Sequence, residues 1–236
     1  MKPATKKTPA MRFSKTLEGA CLVPLLSLAL GSSALGQSPA QIELRGLSGQ
    51  CEGTDVRIKQ LGVDSYVQAF FNGSMVVATD PGVKTIDSKR CTLDLTLKLE
   101  PGYRFDTFTF SVDGVYQVSD YGSVRLTVSN RIGNASPLRT TGFFSLAGGS
   151  NVQGELVPGG FSGAVSADQL DGNFHHCGAH IPVEVSLYAT ASQPSSDSSG
   201  MTLVQLDEGQ SSLSSLPSEA CQGAYCVGKL TVQKCP

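Results

Sequence analysis

Apolar and polar residues alternate with a period of two along much of this chain, and this alternation constrains the fold more than any other feature. From Cys91 to Leu99, four leucines fall on one side of an extended chain, and Thr, Asp and Lys residues fall on the other. This pattern is typical of an antiparallel strand with one buried face. The same alternation recurs at 107–112, 124–128 and 183–187, and a further strand is expected at 115–118 after a turn or bulge at Gly114.

Shorter runs of strand-forming residues bring the expected total to about ten short strands, separated by Gly, Asn-Gly and Asp-Pro-Gly turns. Helical periodicity is nearly absent, which excludes a doubly wound α/β sheet. The sequence therefore predicts an all-β protein, an antiparallel β-sandwich or jelly-roll-like single domain stabilised by disulfides. The shorter candidate strands are 56–61, 66–71, 75–79, 141–146, 152–157, 201–206 and 229–234.

Residues 1–36 have the form of a secretory signal peptide. Five basic residues precede an apolar run at 20–30, and small residues surround the expected cleavage before Gln37. The apolar run is too short for a transmembrane helix, and Pro24 interrupts it. We therefore expect an exported domain at 37–236 with no membrane span, placed in the envelope, the periplasm or the extracellular space.

The charge of this expected domain argues against nucleic acid as a partner. Of the 18 basic and 20 acidic residues, residues 37–236 keep 13 and 19, a net charge of −6. No cluster of Lys and Arg offers a footprint for phosphates. Two Ser-rich segments, 192–200 and 207–218, lack apolar periodicity and are predicted to be mobile surface loops.

An even number of cysteines follows the signal segment, and this predicts disulfides. The six cysteines allow 15 pairings, among which sequence alone does not choose. We expect Cys51 with Cys91, Cys177 with Cys235, and Cys221 with Cys226.

All histidines of the chain lie in the segment His-His-Cys-Gly-Ala-His at 175–180. His175, His176 and His180 could bind Cu²⁺ or Zn²⁺ only if a turn at Gly178 folded them together, because an extended strand holds them too far apart. Surface or disulfide-flanking histidines are the alternative. A calcium site on Asp168, Asp171 and Asn173 is a further candidate, although the segment lacks the order of an EF-hand loop. Otherwise we expect no cofactor.

No complete catalytic motif occurs in the chain. Gly-x-Ser-x-Gly and Ser-x-x-Lys are both absent, so no common serine hydrolase signature is present. Glycoside hydrolysis would need two carboxylates across a cleft, for which Asp168 with Asp171, or Asp106 with Asp113, are candidates. Exposed tyrosines could instead stack on sugars, although the absence of Trp removes the largest stacking ring. These are Tyr103, Tyr116, Tyr121, Tyr188 and Tyr225.

Several short motifs occur together in the order of a known family. They are Gly46-Leu-Ser-Gly-Gln-Cys51, Lys89-Arg-Cys-Thr-Leu-Asp-Leu95, Pro101-Gly-Tyr-Arg-Phe105, Cys177-Gly178 and Gln233-Lys-Cys235. With these motifs, most of 40–236 resembles a secreted family catalogued as domain of unknown function 4360. The resemblance implies a secreted, cysteine-bridged β protein with no established activity, and hence no catalytic residues to assign.

The sequence therefore favours an exported, non-catalytic β protein that binds an unknown envelope or extracellular ligand or has a structural role. The alternatives are a secreted hydrolase with an acidic pair in a sandwich cleft, and a metal-binding protein with its site at 175–180.

Overall fold

The computed structural model describes residues 38–51, 53–134, 139–149, 152–156, 162–170, 172–206 and 226–236. The predicted signal peptide, the Ser-rich segment 207–218 and Cys221 lie outside these residues. Gln37–Pro236 forms one compact unit. No helix within the described ranges is long and apolar enough to cross a membrane.

The described residues form β-strands and two short 3-10 turns. The strands are β1 (Ala40–Gly49), β2 (Asp55–Leu61), β3 (Asp64–Phe70), β4 (Val76–Ala78), β5 (Ile86–Leu99), β6 (Tyr103–Ser111), β7 (Gly114–Val118), β8 (Ser123–Ile132), β9 (Arg139–Ala147), β10 (Val152–Leu156), β11 (Ser162–Ser166), β12 (His180–Ser192), β13 (Leu203–Leu206) and β14 (Cys226–Lys234). The 3-10 turns cover Ala167–Gln169 and Gly172–Phe174.

The strands form two layers, and all their pairings are antiparallel. The front sheet has the order β1-β5-β12-β8-β9. The back layer consists of the sheets β11-β6-β14-β3-β2 and β10-β7-β13-β4. The two back sheets have corresponding strand orders, because β10 and β11, β7 and β6, β13 and β14, and β4 and β3 are consecutive in the sequence and hold matching positions. Both back sheets pack on the front sheet, and the predicted antiparallel β-sandwich is confirmed.

Alternation decides which side chains enter the core between the layers. In β5, Leu93, Leu95 and Leu97 are buried, whereas Asp94 and Thr96 between them are partly exposed on the opposite face. Burying one such leucine stabilises the fold by about 1.5 to 3 kcal/mol. The central strand β12 repeats the pattern against both of its neighbours, and it therefore carries one buried row and one outward row of side chains.

Several strand predictions need correction. β12 extends to Ser192, well beyond the predicted 183–187, because β5 and β8 pair with it along its length. β1 was not predicted at all; its outward residues Glu43 and Arg45 are charged, and it pairs with β5 through a bulge. β11, which begins at Ser162 and Gly163, is not among the candidate strands.

Two disulfides fix the sandwich in different ways. Cys51–Cys91 joins the residues after β1 to the neighbouring β5, within one sheet. Cys177–Cys235 joins the segment before β12 to the end of β14, and it therefore links the front sheet to the back layer. Both pairings are those expected from the sequence. The expected partner of Cys226, Cys221, lies outside the described residues.

Candidate functional site

The outward face of the front sheet carries a row of two exposed rings separated by a hydroxyl side chain. Tyr188 of β12 lies opposite Thr127 of β8, which lies opposite Phe143 of β9. Tyr188 is 42% exposed and Phe143 is 53% exposed. Adjacent strands are about 4.8 Å apart, so the two rings stand about 10 Å apart across the sheet. We call these three residues the platform.

Hydroxyl groups surround the Tyr188 ring. The hydroxyls of Thr190 and Ser88, together with the charge of Arg125, stabilise the phenolate, and they lower the pKa of Tyr188 below its usual value. Thr190 and Ser88 are cross-strand partners on the same outward face. The phenol therefore lies among polar groups, of which Ser88 is exposed to solvent and the Thr190 hydroxyl is buried.

Arginine side chains flank the platform on two sides. The guanidinium of Arg125 lies 4.9 Å from the centre of the Phe143 ring, an arrangement that favours a cation over an aromatic face. Arg90, opposite Tyr188, donates from Nε to Ser186 Oγ at 2.9 Å. The apolar ring faces of the platform and the hydrogen-bond donors of the two arginines therefore lie on the same side of the sheet.

The same face holds two carboxylates that sequence reasoning did not single out. Asp94 and Glu184 are direct cross-strand partners. They line a shallow cavity of about 260 Å³ together with Arg45 and Arg131. Glu184 accepts ion pairs from Arg131 at 3.3 Å and from Arg90 at 3.9 Å. The carboxylate oxygens of Glu184 are therefore ion-paired with guanidinium groups.

A second concave feature, the end groove, lies where β12 ends. It has a volume of about 470 Å³ and is lined by Thr85, Ile86, Tyr121 and the segment 192–195. Ser192 and Ile86 are cross-strand partners on the same outward face as Tyr188. The end groove is therefore continuous with the face that carries the platform, about 13 Å farther along β12.

The Tyr121 ring is 74% exposed, but the turn that carries it is firmly held. The buried carboxylate of Asp197 accepts hydrogen bonds from the Ser119 hydroxyl at 2.7 Å and from the Tyr121 backbone N–H at 3.2 Å. A side chain at Gly122 would collide with Thr202, whose hydroxyl lies next to Ser119. The turn therefore presents an exposed aromatic ring on a fixed backbone.

Hydrogen bonds give Asp197 an unusual acidity. Bonds from the Ser199 hydroxyl and then from the Ser119 hydroxyl lower the pKa of Asp197 to about 2, although burial opposes the shift. The Ser199 backbone N–H adds a bond of 2.9 Å to the second carboxylate oxygen. The charged carboxylate of Asp197 therefore holds the turn that carries Tyr121 in place at the end groove.

The segment 192–200, predicted to be a mobile surface loop, is a surface loop held by hydrogen bonds. The buried Gln193 donates from Nε2 to the carbonyl oxygens of Asp197 at 3.0 Å and Gly200 at 2.6 Å. Its Oε1 accepts from the Thr79 hydroxyl at 2.6 Å. These bonds satisfy the buried amide of Gln193 and hold the segment against Thr79 at the end of β4.

The predicted metal site on His175, His176 and His180 is not formed. Cys177 is disulfide-bonded, His180 begins β12 on the outward face, and His175 Nε2 lies 3.3 Å from the Leu170 carbonyl oxygen. No group of three potential ligand side chains in the described part of the chain could hold a metal ion. The histidines flank a structural disulfide.

The predicted calcium site and the predicted acidic pairs have different outcomes. Asp171 and the side chain of Asn173 lie outside what the structure describes, so the calcium site and the pair Asp168 with Asp171 stay predictions. Asp106 lies within β6, whereas Asp113 is buried beyond the end of that strand. About 16 Å of extended strand already separates Asp106 from Ser111, too far for a pair that acts on one bond.

The tyrosines named from the sequence divide by exposure. Tyr121 and Tyr188 are exposed, whereas Tyr116 is partly buried and its ring centre lies 5.2 Å from that of Phe144. Tyr225 lies outside the described residues. Sequence reasoning missed Phe143, Arg125 and Asp197, because only the strand register and the loop contacts place them at the site.

Comparisons with known proteins add little to this geometry. The chain matches no family model, and no curated protein matches it. Among solved structures, TmCBM61 in complex with β-1,4-galactotriose matches with a TM-score of 0.22 and 13% identity over 70% of this chain and 88% of that chain. A family 11 carbohydrate-binding module from Clostridium thermocellum, bound to a β-1,3-1,4-mixed-linked tetrasaccharide, matches with a TM-score of 0.18 and 10% identity over 84% of this chain and 91% of that chain. At such TM-scores neither likeness bears on the ligand of this chain.

Proposed function

We propose that this chain is an exported, non-catalytic protein that binds a glycan across the outward face of its front sheet. The observation that carries the proposal is the platform, in which Tyr188 and Phe143 present exposed rings on one face with Thr127 between them. Sugars have apolar C–H faces and polar hydroxyl edges. A ligand of this kind fits rings that are flanked by the guanidinium groups of Arg90 and Arg125 and by the Ser88 hydroxyl.

Rigidity supports a binding role for this face. The platform side chains lie on paired strands, and the adjoining end groove is fixed by the Asp197 and Gln193 hydrogen bonds. A site that is already ordered loses little conformational entropy when a ligand binds.

Export is the second part of the proposal. Disulfides form and persist in oxidising compartments, and the chain has two of them among its described residues. The basic and apolar segment at 1–36 supports the same reading. Membership of the family catalogued as domain of unknown function 4360 stays a proposal on the motifs given above.

The test is a screen of the purified protein on an array of neutral and acidic glycans, followed by affinity measurements on the best ligand. We expect Tyr188→Ala to weaken binding at least about tenfold, which corresponds to about 1.4 kcal/mol. The matched control is Phe70→Ala, which removes a partly exposed ring from β3 in the back layer and should leave binding unchanged. Binding that survives Tyr188→Ala, or no binding to any glycan, would refute the proposal.

The pair Asp94 and Glu184 makes a hydrolase the second candidate function, because the two residues face each other on adjacent strands beside the platform. Incubating the best glycan ligand with the protein and measuring new reducing ends tests this candidate. We expect no release, since Glu184 is held by Arg131 and Arg90. Release that Glu184→Gln abolishes would establish the hydrolase instead.

A further inference from the structure

The outward face of the front sheet differs in charge from the rest of the chain. The chain has 18 basic and 20 acidic residues, so it is acidic overall. In the described strands of this face, by contrast, basic side chains outnumber acidic ones by five to three. The basic residues are Arg45, Arg90, Lys98, Arg125 and Arg131, and the acidic residues are Glu43, Asp94 and Glu184.

We propose that the glycan bound by this face is acidic, and that the Arg125 guanidinium binds a sugar carboxylate beside the Tyr188 ring. An acidic glycan is a narrower form of the ligand proposed above, so this inference rests on the proposed function. The positive face would attract such a ligand, and Arg125 would fix its position.

The other four basic residues on this face form ion pairs within the protein. Glu43 lies 3.0 Å from Arg45 and 3.1 Å from Lys98. Glu184 likewise forms ion pairs with both Arg131 and Arg90. Arg125 differs from these four residues, because no carboxylate oxygen of a described residue lies within 4.0 Å of its guanidinium.

Arg125 is also the basic residue placed next to both platform rings. It lies on β8, two residues before Thr127, and stacks on Phe143 at 4.9 Å. Its cross-strand partner Thr190 lies two residues beyond Tyr188 on β12. Stacking supports the flat face of the guanidinium, while its N–H groups point outward in the plane and can bind both oxygens of a carboxylate.

A second arginine in the molecule shows the same arrangement with its carboxylate present. Arg57 of β2 lies 4.6 Å from the centre of the Phe70 ring. Its Nε donates to Asp55 Oδ2 at 2.7 Å, and a terminal nitrogen lies 2.7 Å from the same oxygen. At Arg57 the protein supplies the carboxylate itself. At Arg125 the corresponding position is open to a ligand.

The test compares polygalacturonate with its fully methyl-esterified form, because esterification removes the negative charge and keeps the same sugar backbone. We expect the protein to bind polygalacturonate at least about tenfold more tightly than the ester, a preference that falls as salt is added. Arg125→Gln should abolish the preference. Arg125→Lys should keep part of it, because lysine retains the charge but not the fork.

The matched control is Arg57→Gln, which breaks the corresponding stack on the back layer and should leave the preference unchanged. Equal binding of the two polymers by the protein would overturn the inference. So would equal effects of Arg125→Gln and Arg57→Gln. If a neutral glycan binds through Tyr188 and polygalacturonate binds no better, only the acidic ligand is refuted. If no glycan binds at all, the proposed function fails as well.

Discussion

The outward faces of the two layers hold similar groups in opposite settings. Each face has a tyrosine on an inner strand and an arginine stacked on a phenylalanine across a pair of strands at one edge. On the back layer, Tyr66 is buried with the Lys229 ammonium 5.8 Å from its ring, and Lys229 lies 2.9 Å from Asp64. On the front sheet, Tyr188 is exposed.

The difference separates a face that stabilises the fold from the face proposed to bind a ligand. On the back layer, burial raises the pKa of Tyr66, and the hydrogen bond to Asp64 raises the pKa of Lys229. Asp64 and Lys229 pair with each other beside the buried Tyr66, and these groups are therefore expected to stabilise the fold. The corresponding groups of the front sheet keep ring faces and donors open to solvent, as a ligand requires. The two faces can be tested against each other by mutation.

Removal of the covalent link between the layers should give the largest effect. We expect the double variant Cys177→Ala, Cys235→Ala to lower the free energy of unfolding by about 4 kcal/mol, because the disulfide closes a long loop in the unfolded chain. Urea denaturation measures this loss. Glycan binding by the folded variant at 25 °C should be retained, because the platform lies within one sheet. Its loss would mean that the open face depends on the back layer.

Replacing the tyrosine of each face by alanine should give the next largest effect, with opposite consequences for stability and for glycan binding. We expect Tyr66→Ala to lower the free energy of unfolding by about 3 kcal/mol, since it removes a fully buried ring. Tyr188→Ala should change it by less than about 0.5 kcal/mol. Denaturant titrations and glycan affinities of both variants provide the check. Equal stability losses would contradict the distinction between the faces.

Acid should destabilise the protein through the end groove. The pKa of Asp197 falls from 3.8 to about 2 on folding, so its stabilising effect is complete above pH 4 and disappears as the pH falls towards 2. Asp197→Asn should flatten this part of the stability profile, as measured by denaturation at a series of pH values. Asp120→Asn in the same turn is the control. A variant profile as steep as that of the parent protein would show that another group is responsible.

The smallest effect is spectroscopic. Comparing the tyrosinate absorbance of the protein with that of single Tyr→Phe variants should show that Tyr188 ionises below pH 10 and Tyr66 above it, because the pKa of Tyr188 is lowered and that of Tyr66 is raised. Tyr188→Phe should remove the first transition and Tyr66→Phe the second. If both variants removed the same transition, the two phenols would share one environment.

The sequence predicts the antiparallel layers but not the site, and the two disulfides agree with the expected pairings although sequence alone does not choose among the 15. Alternation in β5 and β8 predicts a buried face directly, since each side chain must take one of two sides. The two neighbouring phenylalanines of β9, Phe143 and Phe144, do not indicate which of them faces the core. A bulge near Thr141 sets the register so that Phe143 faces outward and Phe144 faces the core. Without that register, no platform can be recognised.

The end groove could not be predicted from the sequence for a different reason. Asp197 lies in a Ser-rich stretch whose composition predicts solvation, and its burial depends on partners far away in the chain, Ser119 and the Tyr121 backbone. Composition describes a segment by itself, whereas these bonds depend on where the fold places β7 and β8. Long-range polar contacts of this kind leave no periodic signal in a sequence.

The position of β12 has a mechanical consequence. This strand carries Tyr188 and is hydrogen-bonded along its length to β5 and β8. A disulfide lies just before it and the anchored Gln193 just after it. Antiparallel hydrogen bonds lie perpendicular to the strands. A force applied to Tyr188 along β12 would therefore load many of these bonds in shear at once, and the strand should keep its place in the sheet under tension.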